Sequence, residues 1–107
     1  MKTVRPPLLA AVFACLLVAL PAAASEQIAV KAGCAVCHAA DKKLIGPSWH
    51  DVALKYKGKA DALAKLSQQV RKGSKDVWGP VPMPPSDAQK ISDADLKAVL
   101  SWALKTK

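Results

Sequence analysis

Sulfur and imidazole are scarce in this chain: 107 residues hold three cysteines, two methionines and two histidines. A structural zinc site wants four such ligands, generally as two Cys or His pairs. Beyond one Cys-x-x-Cys-His run only Cys15 and His50 remain, and they are not so paired. Aromatic residues are few as well, one Phe, one Tyr and three Trp. They are not interleaved with the lysines, which are scattered (Lys31, Lys42, Lys43, Lys55, Lys57, Lys59, Lys65, Lys72, Lys75), so no nucleic-acid interface is expected. Strand-like alternation is missing, and so is the βαβ periodicity that surrounds a thioredoxin-like dithiol.

The only long apolar run, Leu8 to Leu20, is short for a membrane span and ends at Pro21. With the basic Lys2 and Arg5 before it and Ala22-Ala23-Ala24 after it, the run has the layout of a secretory leader. Residues 1–24 are therefore expected to be a cleaved signal peptide and residues 25–107 the mature domain, periplasmic and without a stable membrane anchor. Cys15 leaves with the leader. A lipoprotein reading of Val12-Phe13-Ala14-Cys15 is disfavoured by the bulk of Phe13. Removing Lys2 and Arg5 lowers 16 basic residues to 14 against 8 acidic ones, so the mature chain keeps a net charge of +6. At 83 residues from Ser25 to Lys107 it is one domain, of a size that often needs a staple or a cofactor to complete its core.

What the chain does contain is Cys34-Ala35-Val36-Cys37-His38. Two thiols one turn apart with an imidazole immediately after them are the spacing of covalent haem attachment: two thioether bonds and one iron ligand. Cys-x-x-Cys alone also fits a redox dithiol, half a zinc site or a disulfide, and His38 shifts the weight to haem.

The rest of the mature chain reads as helices, so the fold class is all-α. Ser25 is placed as the cap of a helix from about Glu26 to Ala32, with Gly33 ending it. Asp51 is placed as the cap of a short helix Val52 to Lys57, closed by Gly58. Asp61 starts a third, in which Leu63, Leu66 and Val70 repeat at helical spacing up to Gly73. Ser92 with Asp95 resembles a capping box before the stripe Leu96, Val99, Leu100, Ala103 and Leu104, with Trp102 beside it. Between the last two helices, Val77-Trp78-Gly79-Pro80-Val81-Pro82-Met83-Pro84-Pro85 carries four prolines in its last six residues and must be a stiff, extended loop. Met83, the only methionine left once Met1 is removed, is either a hydrophobic plug or a soft second iron ligand. His50, in what reads as a polar surface turn, is its rival for that position.

Together, Gly33-Cys34-Ala35-Val36-Cys37-His38, Gly46-Pro47, Gly73-Ser74, the loop from Val77 to Pro85 and a last helix with Trp102 resemble the small bacterial class I monohaem cytochromes c of the cytochrome c-551 type. The resemblance covers essentially the whole mature chain. It implies a few helices wrapped round one covalently bound haem c, with the first and last helices packed together and one haem edge open. Cys34 and Cys37 would carry the thioethers, and His38 and Met83 would be the axial iron ligands. The Pro47 carbonyl would accept a hydrogen bond from His38 Nδ1, and Trp78 would hydrogen-bond a propionate. Gln69 stands where many relatives carry a basic residue and is a candidate propionate contact, with Arg71 close by. Ser86 replaces an asparagine that often supports the methionine loop, and Ala29 replaces an aromatic residue on the first helix. The implied function is one-electron transfer by a monomeric shuttle, not an enzyme. The implied partners are redox proteins, with periplasmic nitrite reductase, a terminal oxidase or a peroxidase as candidate acceptors. The alternative is a haem enzyme or gas-binding cytochrome with an open sixth iron position.

Overall fold

Four α-helices joined by irregular segments form the computed structural model, which describes residues 2–4 and 22–107. Arg5, the run Leu8 to Leu20 and Cys15, on which the leader assignment rests, lie outside the described residues. Helix α1 spans Ala22–Lys31, α2 Trp49–Tyr56, α3 Ala62–Lys72 and α4 Asp93–Ala103, and a 3-10 turn covers Cys34–Val36. Among the described residues there is no strand; two isolated bridges join His38 to Lys43 and Ser74 to Met83.

The helices with clear start and stop signals fall where the sequence puts them. The Ser92 hydroxyl accepts the Asp95 N–H at 3.2 Å at the start of α4, and Leu96, Val99, Leu100 and Ala103 on its inner face are buried. Helix α3 begins after Asp61 and stops at Gly73 as expected, although the Asp61 side chain makes no capping bond.

Two caps are corrected. Helix α2 starts at Trp49, three residues before the expected Val52, because Ser48 and not Asp51 is its cap. The Ser48 hydroxyl accepts the Asp51 N–H at 3.0 Å, and the Asp51 carboxylate is left in the first turn, where the helix dipole favours it. Within the described residues helix α1 already includes Ala22. Three successive alanines are strong helix formers and carry the helix back past Ser25, which is buried inside it instead of capping it.

Helix α4 is the common wall of the molecule, touching α1, α2 and α3. Ala29 on α1 and Ala103 on α4 are almost inaccessible, 2% and 0% exposed, and side chains this small let the first and last helices approach closely. An aromatic ring is not supplied from position 29. It comes from α2 instead: Trp49 meets Trp102 edge-on, ring centroids 5.4 Å apart. That arrangement leaves a cleft between α4, α3 and the two long connections, 37–48 and 73–91.

Candidate functional site

One wall of the cleft is built around His38. The chain turns at Cys34–Val36, with the N–H groups of Cys37 and His38 both donating to the Cys34 carbonyl at 3.2 and 3.0 Å. This turn brings Cys34 and Cys37 to the cleft as two free, half-buried thiols. Behind them the His38 ring is fixed from three sides. Its Nδ1 lies 2.7 Å from the Pro47 carbonyl. A carbonyl can only accept, so Nδ1 carries the proton and Nε2 is left with its lone pair. Trp49 stacks on the ring at 4.6 Å between centroids and 26° between planes. On another side lies Gly46, where a Cβ would come within 2.9 Å of His38 Cε1 and 3.2 Å of the Cys37 carbonyl; any side chain there would displace the imidazole. Burial pushes the His38 pKa below its ordinary value, only partly offset by the Pro47 hydrogen bond, so the ring is neutral at pH 7. The Cys34 thiol is pushed up, chiefly by burial, with Lys90 opposing.

The other wall is the proline-rich segment. Met83 pairs with Ser74 through two backbone hydrogen bonds, 2.9 and 3.1 Å, and lines the cleft. Gly73 makes this pairing possible: it has φ +77°, and a Cβ on it would meet the Met83 carbonyl at 2.8 Å. Trp78, 37% exposed, also lines the cleft and lies under the Lys55 ammonium, 4.6 Å from the ring centroid, while Lys55 donates to the Val77 carbonyl at 3.4 Å. Gln69 reaches the cleft from α3, its amide donating to the Tyr56 hydroxyl at 3.2 Å. Arg71 does not. Its guanidinium turns to the Ser86 and Ile91 carbonyls and to Asp93.

The floor is apolar, formed by Leu66, Val70, Ile91, Leu96, Val99 and Leu100, and the cleft encloses about 1250 Å³ of empty space with its open side included. His50 is not part of it. Contrary to the expected surface turn, it sits in the first turn of α2 with Nδ1 buried and without a hydrogen-bond partner. Among the described residues no three His, Cys, Asp or Glu side chains converge as a zinc site would require.

The cleft geometry agrees with the comparisons. The family described as cytochrome c matches residues 22–107. The chain belongs to the cytochrome c family. It is 51% identical to cytochrome c2 of Rubrivivax gelatinosus over 84 residues, covering 78% of this chain and 99% of that protein. Identity to cytochrome c-551 of Pseudomonas aeruginosa is 45% over 75 residues, 70% of this chain and 69% of that protein. The crystal structure of Nitrosomonas europaea cytochrome c552 superposes with a TM-score of 0.70 at 41% identity, over 77% of this chain and 99% of that one.

As a cytochrome c, the chain is an electron carrier whose cofactor is covalently bound haem c. Its residues fit that group: two free thiols one turn apart, a neutral imidazole with an available lone pair, a thioether and an apolar lining share one cleft. What the sequence did not announce is the support. Trp49 has the signal, since Trp49, Val52, Ala53 and Tyr56 are all buried at helical spacing, but a cap placed at Asp51 leaves Trp49 outside the helix. Lys55 and Arg71 have no sequence signal, because each acts on a residue more than a dozen positions away.

Proposed function

We infer that His38 Nε2 and the Met83 thioether are the two axial ligands of a haem held through Cys34 and Cys37, and that the mature protein carries electrons in the periplasm. The observation that carries this reading is the 2.7 Å contact of His38 Nδ1 with Pro47, which leaves a neutral ring with one free lone pair in the cleft that also contains Met83. Haem iron supplies the chemistry, one-electron exchange between ferrous and ferric states. The protein residues keep that exchange fast and selective. With His38 and Met83 both bound to the iron, no substrate would reach it, and the soft Met83 thioether would favour the ferrous state and so raise the potential. The hydrogen bond to Pro47 makes His38 a stronger donor and fixes its orientation. Trp78 and the second amide N–H of Gln69 are donors suited to the propionates, and the apolar floor keeps water away.

Leader removal before Ser25 delivers the chain to the compartment where such carriers work. Among the described residues no helix is long and apolar enough to cross a membrane. The partners are redox proteins, with periplasmic nitrite reductase, a terminal oxidase or a peroxidase as candidate acceptors. With a net charge of +6 after processing, the carrier is steered towards acidic rims, so its bimolecular rate with an acceptor is expected to fall as ionic strength rises. A rate indifferent to salt would mean that an apolar contact carries recognition.

The ligand set is tested on the purified haem protein. The ferric wild type is expected to show the weak long-wavelength thioether-to-iron band. Met83→Ala should abolish it, lower the reduction potential and open the iron to carbon monoxide or cyanide, whereas His50→Ala should leave all three unchanged. A wild type that already binds these ligands freely would instead be an open-site haem protein.

A further inference from the structure

The chain leaves the cleft along the C-terminal end of α3, and it is fastened there by a set of bonds that converge on one side chain. Ser86 N–H donates at 2.8 Å to the Val70 carbonyl, one of the last carbonyls of the helix, which have no partner within it. From the next residue, Arg71 Nη1 donates to the Ser86 carbonyl at 3.3 Å and to the Ile91 carbonyl at 2.8 Å, while Nη2 pairs with Asp93 at 2.7 Å. One planar guanidinium thus grips both ends of the 86–91 connection. The Asp93 partner is 95% exposed, so the ion pair itself contributes little. The two carbonyl bonds differ: they are partly buried and charge-assisted, and the Arg71 side chain is only 23% exposed.

Ser86 lies three residues after Met83, across Pro84 and Pro85, whose fixed φ angles make the link stiff. A shift at Ser86 is therefore passed on to Met83 instead of being absorbed. Among the described residues the Ser86 side chain makes no hydrogen bond, so position 86 is held through its backbone alone. We propose that Arg71 is the positioning residue for Met83, locking the loop so that the thioether stays on the iron; this rests on the reading of Met83 as the sixth ligand. A bare contribution to fold stability is the competing role. It predicts no selective effect on the iron.

The test uses the haem-loaded mature protein with Arg71→Gln, Arg71→Lys and, as a control, Leu63→Ala, which removes core packing at the other end of α3 without touching the cleft or the loop. Arg71→Gln is expected to keep the thioether band but to bind added imidazole in the ferric state at least about tenfold more tightly, and to exchange its Ser86 amide proton about tenfold faster, the size of one charge-assisted hydrogen bond. Arg71→Lys keeps the charge but not the fork. It is expected to tighten imidazole binding by about threefold, and it decides the outcome if Arg71→Gln does not accumulate. Leu63→Ala should lower the melting temperature and change neither readout. Imidazole affinity within twofold of wild type in the arginine variants, or an equal rise in Leu63→Ala, overturns the proposal. A wild type with no thioether band removes Met83 itself as ligand, a separate and visible failure that takes the proposal with it.

Discussion

The two walls of the cleft are held in different ways. The His38 wall is held by side-chain packing: a ring wedged between Trp49, Gly46 and the Pro47 carbonyl, with Trp49 continuing into the core through Trp102. The Met83 wall is held mainly by backbone pairing, Ser74 with Met83 and Ser86 with Val70, with Arg71 and Lys55 as side-chain clasps. The first support is part of the core and can loosen only when the fold does. The second runs through partly exposed turns, where local opening costs less than global unfolding. On the proposed ligand set, a carrier built this way has one rigid ligand, His38, and one that local opening can release, Met83.

Three changes grade that contrast. Cys34→Ser with Cys37→Ser should have the largest effect: without the covalent group the cleft has nothing to fill it, and a chain this short is expected to be largely unfolded. Circular dichroism and thermal melting read the outcome, and a cooperatively melting, helical, haem-free double variant would show that the His38 wall needs no cofactor. Next is Gly73→Ala, on the Met83 wall. With φ +77° and ψ 169° it occupies a region that other residues avoid, and its Cβ would strike backbone, so a loss of about 3 kcal/mol with early weakening of the thioether band is expected in denaturant titrations. Gly46→Ala should cost less, about 1 to 2 kcal/mol, because position 46 has no left-handed φ to strain and the nearest backbone atom, the Cys37 carbonyl, is 3.2 Å from the added Cβ, against 2.8 Å for the Met83 carbonyl at position 73. That variant should change the His38 ring orientation seen by NMR while the thioether band survives. Equal losses with the same spectral signature from both glycines would mean that the walls are not independent.

The parts legible in the sequence were those governed by local rules. Asp61 and Gly73 bracket α3, Ser92 and Asp95 open α4, and four prolines around Met83 exclude regular structure between them. Helix α2 begins earlier than a cap at Asp51 implies, because Ser48, three residues before it, makes the capping bond. Its true register is visible only once Trp49 has a ring to stack on. His50 illustrates the same limit: a polar residue next to a cap reads as exposed, yet its Nδ1 is covered by the fold. The residues that meet in the cleft were readable individually as chemistry. Their convergence, and the Arg71 and Lys55 clasps, depend on pairings across 15 to 22 positions that no local pattern encodes.

Because Arg71 binds the carbonyls of both Ser86 and Ile91, the stretch between them is spanned at its base like a loop of thread under a single stitch. It is also closed on itself, with the Asp87 carboxylate accepting the N–H groups of Gln89 and Lys90, both at 3.0 Å. Asp87 to Lys90 are exposed and contribute no side chain to the cleft. This is therefore the point at which the chain can change length without disturbing the chemistry. Two extra residues, such as Gly-Ser inserted after Ala88, are expected to lengthen the turn and leave the absorption spectrum and potential of the haem protein as they were, since loop closure depends only weakly on length.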